Sequence, residues 1–161
     1  MKQTHFFLGA NSAEGFYGLY DQLLDARLYD LIILKGTPGC GKSTFMRRVA
    51  AALEERGLET VYIHCSGDPD SLDGVIAPAI RTAIVDGTAP HVLEPRYALA
   101  HERYVDLSQC CDSAAAKEVA NGLTALTDAY RASYREAYHV LRALGGVDAE
   151  RPQNMVRLAV G

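Results

Sequence analysis

Nine consecutive residues carry the clearest chemistry in the chain: Gly36, Thr37, Pro38, Gly39, Cys40, Gly41, Lys42, Ser43 and Thr44. Their spacing, G-x-x-x-x-G-K-S, is that of a phosphate-binding P-loop. The glycines allow backbone N–H groups to turn inward and approach phosphate oxygens closely. A helix starting near Lys42 aims its unpaired N–H groups and positive dipole end at the same anion. Lys42 supplies a mobile point charge for the β- and γ-phosphates, Ser43 a hydroxyl for Mg²⁺, and Thr44 a hydroxyl for the α-phosphate. Cys40 fills a position that the pattern leaves open.

A loop of this kind works with an acidic residue at the end of a neighbouring strand, which holds Mg²⁺ through water. The run Thr82–Asp86 supplies Asp86 after three apolar residues. Many ATPases place a glutamate directly after that aspartate to activate the attacking water; Gly87 stands there instead. Asp68, Asp70 and Asp73 offer carboxylates in the stretch Ser66–Gly74, which follows the next predicted strand. Ligands of open α/β sheets bind at that edge, so Asp70 or Asp73 would serve as general base or as part of an acceptor site. The same residues are turn formers, and Asp70 equally suits the cap of a helix starting at Ser71. His91 is either a γ-phosphate sensor or a plain loop histidine. His64 reads as packing at a strand end.

These groups need elements to hold them. Leu31–Lys35 is an apolar run without alternation, as in a strand buried on both faces. A helix over 42–56 with Phe45, Met46, Val49 and Leu53 on one side stops at Gly57. Thr60–Cys65 is the next strand, which closes a β–α–β unit expected to be right-handed. His5–Gly9 reads as a short strand. Asn11–Leu28 reads as an amphipathic helix through Phe16, Leu19, Tyr20, Leu23 and Leu24. Ser66–Gly74 reads as loop, and Pro78 argues against a central strand over 75–82. From Asp112 to about Leu144, apolar residues recur at threes and fours. They predict a long helix broken near Asn121 or Gly122, or projecting toward a partner, and ended by Gly145 and Gly146. Tyr130, Tyr134 and Tyr138 line one side of it, as in a helix–helix seam. The tail 154–161 reads as a last strand. The expected fold is a three-layer α/β P-loop fold with a mostly parallel sheet, its core over 1–111 and its helical extension over 112–161.

Composition narrows the classes. The chain has 161 residues, is 48% hydrophobic and 22% charged, and carries a formal charge of −4. It shows no basic stripe of the kind a nucleic-acid surface needs, no run of about 18 apolar residues that would span a membrane, and no signal-peptide pattern. Its four cysteines match no zinc spacing. A cytoplasmic protein with reduced thiols is expected. No N/T-K-x-D string for reading guanine is present, which favours ATP or a site permissive for either nucleotide.

The stretches His5–Asp21, Ile33–Val49, Tyr62–Ile80 and Ala83–Tyr97 resemble a family of bacterial P-loop ATPase-like proteins, described as ATPases or nucleotide kinases. The resemblance implies nucleotide binding at Gly36–Thr44 and functional roles for Ser66–Gly74 and Asp86–His91. Members of that family usually carry two P-loop halves in tandem, and this chain is similar to the N-terminal one. Three functions therefore fit the residues. The first is Mg-dependent ATP binding with hydrolysis. The second is a kinase that uses 68–73 as the site for a nucleoside, a nucleotide or another small acceptor. The third is a nucleotide-gated binding module with little turnover. The implied partners are a nucleotide, a second P-loop half, or another copy joined through helix 112–145.

Overall fold

The computed structural model describes residues 3–20, 28–90 and 92–148. Its centre is a six-stranded sheet. The strands are β1 (Gln3–Phe7), β4 (Asp30–Lys35), β5 (Thr60–His64), β6 (Leu72–Ala77), β7 (Thr82–Asp86) and β8 (Glu102–Asp106), and a separate two-stranded ribbon joins β2 (Gly9–Ser12) to β3 (Gly15–Gly18). The sheet order is β1-β5-β6-β7-β4-β8. Pairings β1·β5, β4·β7 and β4·β8 are parallel, whereas β6 runs against both β5 and β7. The result is a mixed α/β chain with a mostly parallel sheet.

Alternation along the strands sorts the apolar side chains onto two faces. Ile33, Ile63, Ile76, Ala83 and Val85 pack with Leu8 and Tyr20 on one face. Leu34, Tyr62, Leu72, Val75 and Ile84 meet Met46 and Ala50 of helix α1 (Lys42–Glu54) on the other. Gly57, in the left-handed region at φ 83°, ends the helix with its N–H on Glu54 O, as the sequence suggests. The α1 carboxylate Glu54 then ties the helix to the sheet. It accepts hydrogen bonds from the Thr60 hydroxyl, from Tyr62 Oη at 2.7 Å and from Gln3 Nε2 at 2.9 Å.

The structure corrects several expectations. Residues 9–18 form a β-hairpin and not the start of a helix. Ser12 Oγ accepts from the Glu14 N–H at 3.2 Å and donates to Gly15 O at 2.8 Å, and Gly15 takes φ 111°. These residues are turn chemistry, and the spacing of Phe16 to Tyr20 matched a helix by coincidence. The part of that predicted helix over 21–27 lies outside the described residues, as do His91 and the tail 154–161. Residues 72–77 are a fully buried strand and not loop; Pro78 marks its end and opens a one-turn 3-10 helix, Pro78–Ile80. β8 was not expected, because its sequence Glu-Arg-Tyr-Val-Asp is that of a charged, mostly exposed edge strand. β5 does not lie beside β4: β7 and β6 come between them.

The chain divides into two compact units, 1–10 with 16–118 and 11–15 with 119–161. The first holds the sheet, α1 and the short helix α2 (Ser113–Glu118), whose first amides donate to Asp112 Oδ1 at 2.9 and 3.0 Å. The second holds α3 (Ala120–Asp148), about 44 Å long at 1.5 Å per residue, and the hairpin tip, where Tyr138 Oη donates to Asn11 Oδ1 at 2.8 Å. The interruption between α2 and α3 falls at Val119, ahead of Asn121 and Gly122, and Gly145 and Gly146 do not end α3. Among the described residues no helix is long and apolar enough to cross a membrane.

Candidate functional site

The loop between β4 and α1 takes its shape from its glycines. Gly36, Gly39 and Gly41 have φ of 145°, 82° and 91°, a region that L side chains avoid. Gly36 also has no space for a side chain, since a Cβ there would lie 2.5 Å from Cys40 Sγ. Gly41 caps α1 in the left-handed conformation. Among the described residues no side chain caps the helix end, and no acidic residue stands in its first turn. The N-terminal amides of α1 are thus arranged for an anion from outside the chain.

Lys42 brings positive charge to the same place. It is 8% exposed, and its ammonium donates to Gly36 O at 2.7 Å and Thr37 O at 3.1 Å while standing 3.6 Å from Asp86 Oδ2. Asp86 sits opposite Leu34 in the β4·β7 register, so the direct pairing of these two strands sets the lysine–aspartate approach. Its other oxygen, Oδ1, accepts from the Thr88 N–H at 2.8 Å and from Thr88 Oγ1 at 2.6 Å. Ser43, next to Lys42, accepts the Leu72 N–H at 2.9 Å through Oγ. The structure therefore gathers Lys42, Ser43 and Asp86 at the C-terminal edge of the parallel strands. The oxygen donors Ser43 and Asp86 are of the hard type that Mg²⁺ prefers, and Mg²⁺ is commonly held by one or two carboxylates with substrate phosphates. Thr37, Pro38, Gly39 and Thr44 are exposed, and Cys40 is half-buried.

The acidic stretch splits. Asp68 and Asp70 are exposed. Asp68 Oδ2 accepts the Ser71 hydroxyl at 2.6 Å, closing its own turn, and the Asp70 carbonyl accepts Arg47 of α1, which tethers the backbone there to the helix. Asp73 differs. It is 4% exposed and accepts the Tyr20 hydroxyl at 3.1 Å. Burial, and then the charge of Asp73, pushes the Tyr20 phenol far above its usual range. Burial also raises the nearby Cys65 thiol.

Lys35, Glu94, Tyr104 and Tyr20, to which sequence reasoning gave no site role, shape the surroundings. Lys35 donates to Gly87 O at 2.8 Å and to Leu93 O at 3.0 Å, and it pairs with Glu94 Oε1 at 3.4 Å. Tyr104 also donates to Glu94. These bonds hold the Glu94 carboxyl below the usual range and push the Tyr104 phenol up to about 12. Lys35 so fastens the segment after Asp86 to the sheet. A lysine closing an apolar strand directly before the glycine loop was the available signal. Tyr20 had no comparable signal.

A family model described as AAA domain (dynein-related subfamily) matches residues 31–99. That interval opens on β4 and contains the glycine loop, Asp73 and Asp86. The match supports a nucleotide-binding domain of the P-loop ATPase type, and the mixed, mostly parallel sheet is consistent with it. The chain is also similar to the movement and silencing protein TGBp1 of Papaya mosaic potexvirus, at 35% identity over 68 residues. The matched region is 42% of this chain and spans about a quarter, 26%, of that relative. No solved structure matches.

Proposed function

We propose that the chain binds Mg·ATP at Gly36–Thr44 and hydrolyses it. The observation that carries this reading is the Lys42 ammonium, buried in the loop between two loop carbonyls and beside Asp86. The amides of the loop and of the α1 N-terminus hold the β- and γ-phosphates. Lys42 exchanges its loop carbonyls for phosphate oxygens and stabilises the charge that develops during transfer. Ser43 and Asp86 are the residues that would hold Mg²⁺, which neutralises phosphate charge when bound. In this reading the three-layer P-loop core covers 1–111, and 112–161 is an extension to it.

The kinase alternative has less support, because Asp68 accepts the Ser71 hydroxyl within its own turn and Asp73 is buried. The binding-module alternative rests on α3. On it Leu123, Leu126, Tyr130, Val140 and Leu144 are spaced by threes, fours and longer helical intervals, and all are exposed. This stripe supports a seam with a second copy or with a second P-loop half, and in that reading nucleotide binding changes the pairing with little turnover.

A thermal-shift series with ATP, GTP and ADP, with and without Mg²⁺, tests the reading. At ligand a hundred times its Kd, stabilisation is about 2.7 kcal/mol, readily seen as a raised Tm. Wild-type protein should respond to ATP most strongly with Mg²⁺, and Lys42→Ala should not respond. An equal response from Lys42→Ala would end the assignment. Phosphate release without an added acceptor separates hydrolysis from kinase activity, and tight binding without release points to the module.

A further inference from the structure

Gly87 is where the carboxylate that activates water would be expected, and the structure shows why none can stand there. Asp86 faces the α1 side of the sheet, so position 87 faces the opposite side. A Cβ at Gly87 would come within 2.3 Å of Ile33 Cγ2, and Ile33 is fully buried. Packing disfavours any side chain at this position, so a neighbouring strand is the place to look for a carboxylate.

The neighbouring strand supplies one. β6 pairs with β7 as far as Gly74↔Val85; Asp73 is the residue before Gly74, and Asp86 the residue after Val85, at the same end of the two strands. Across the other edge, Ile63 pairs with Gly74 but His64 pairs with Leu72, so Asp73 is the extra residue of a β-bulge. Bulges re-aim a side chain, and this one does. Simple alternation would put residue 73 on the same side as Val75, the α1 side. Instead Leu72 joins Val75 on that side, while Asp73 accepts the hydroxyl of Tyr20, which packs with Ile33, Ile63 and Val85 on the other. Asp73 so occupies the side that Gly87 leaves without a functional group. It adjoins Leu72, whose N–H holds Ser43.

We propose that Asp73 is the general base of ATP hydrolysis, oriented by Tyr20. A lone pair of the water oxygen forms the bond to the γ-phosphorus. The bond from that phosphorus to the β–γ bridging oxygen breaks, and its electron pair stays on the ADP oxygen. The proton of the water passes to the Asp73 carboxylate. Tyr20 is a positioning residue that fixes the carboxylate through Oδ2. This inference rests on the ATPase reading above.

The test uses the whole chain as wild type, Asp73→Asn, Asp73→Glu and Tyr20→Phe, with two readouts. Equilibrium binding of labelled ATP with Mg²⁺ should change by less than about threefold in every variant, since none of the substituted groups belongs to the P-loop. Single-turnover hydrolysis should fall about 10²–10⁴-fold in Asp73→Asn, the range for loss of a general base. Nucleotide recovered from that variant should remain ATP. Asp73→Glu should recover part of the rate, and Tyr20→Phe should lose rate without losing binding. If Asp73→Asn does not fold, Tyr20→Phe decides: unchanged turnover there overturns the proposal. Wild-type turnover retained by Asp73→Asn overturns the role of Asp73 while leaving the ATPase reading intact. Turnover that appears only with an added acceptor overturns water as the nucleophile. A wild-type chain that binds no ATP overturns the ATPase reading, and this inference with it.

Discussion

Replacing Lys42 by Met should destabilise the nucleotide-free protein, because the lysine neutralises a carboxylate already withdrawn from water. The two side chains are 9% and 11% exposed and stand 3.6 Å apart. At that separation and an effective dielectric of about 20, their attraction is about 4–5 kcal/mol before desolvation is counted. Removing one partner from a buried pair costs about 3–5 kcal/mol, since the remaining charge stays buried. Asp86 keeps the Thr88 N–H and hydroxyl, which places Lys42→Met near the lower end, at about 3 kcal/mol. Asp86→Asn should cost less, about 1–2 kcal/mol, because Lys42 retains the Gly36 and Thr37 carbonyls. The double variant should then be about 2 kcal/mol more stable than the sum of the single effects, as expected for neighbours in contact. Urea denaturation followed by circular dichroism measures the cycle, read from the transition of the sheet unit. A coupling below about 0.5 kcal/mol, the level at which independent sites add, would refute the ion pair as the organising contact of the empty loop.

Two further predictions address the scaffold. Gly87→Ala should lower stability by about 1–3 kcal/mol, the usual cost of overpacking, because its Cβ falls 2.3 Å from the buried Ile33; an unchanged urea midpoint would show that the β4–β7 edge is looser than described. The second concerns pH. Glu54 is held below the usual carboxylate range, first by the Thr60 hydroxyl and then by that of Tyr62, so its contribution is present above the unfolded value of about 4.3 and is lost as pH falls through the lower folded value. Glu54→Gln should therefore lower the urea midpoint at neutral pH, and the difference from wild type should close as the solution is acidified below that range. A difference that persists in acid would mean that the hydrogen bonds do not depend on the charge.

What the sequence disclosed depended on where the information resides. The glycine loop was legible because its function is carried by backbone conformation, and Gly36, Gly41, Lys42 and Ser43 are the residues that permit it. Asp86 was legible because an apolar run ended in a carboxylate. β6 was hidden. Its first residues, Leu-Asp-Gly, follow a dense turn sequence and include a charge, and the apolar part ends at Pro78 after three residues. A strand buried on both sides by its neighbours needs no alternation, so periodicity could not reveal it. The hairpin at 9–18 was misread for the converse reason: Phe16, Leu19 and Tyr20 satisfied helical spacing, while Ser12 and Gly15 carried a turn signal of only a few residues. The bulge at Asp73 is a property of two strands paired together, and a single chain of letters does not contain it.

With Asp73 as the proposed base, the position of that bulge would separate two tasks that many sites place on one strand end. Lys42, Ser43 and Asp86 lie on α1 and on β7, next to β4, where they would hold phosphate and metal. Asp73 lies on β6, and Tyr20 precedes β4 in the chain. If Asp73 is the base, substitutions at Asp73 and Tyr20 would leave the glycine loop, its amides and the Lys42–Asp86 contact in place, and binding and turnover would respond to different parts of the sheet. The arrangement also explains why Gly87 and the antiparallel β6 belong together. A strand inserted between β5 and β7 brings its own N-terminus to the edge where the parallel strands end. A carboxylate near that N-terminus can face the side that Ile33 closes to residue 87. With β6 reversed, residue 73 would lie at the opposite edge of the sheet, and the site would have no second carboxylate from this strand.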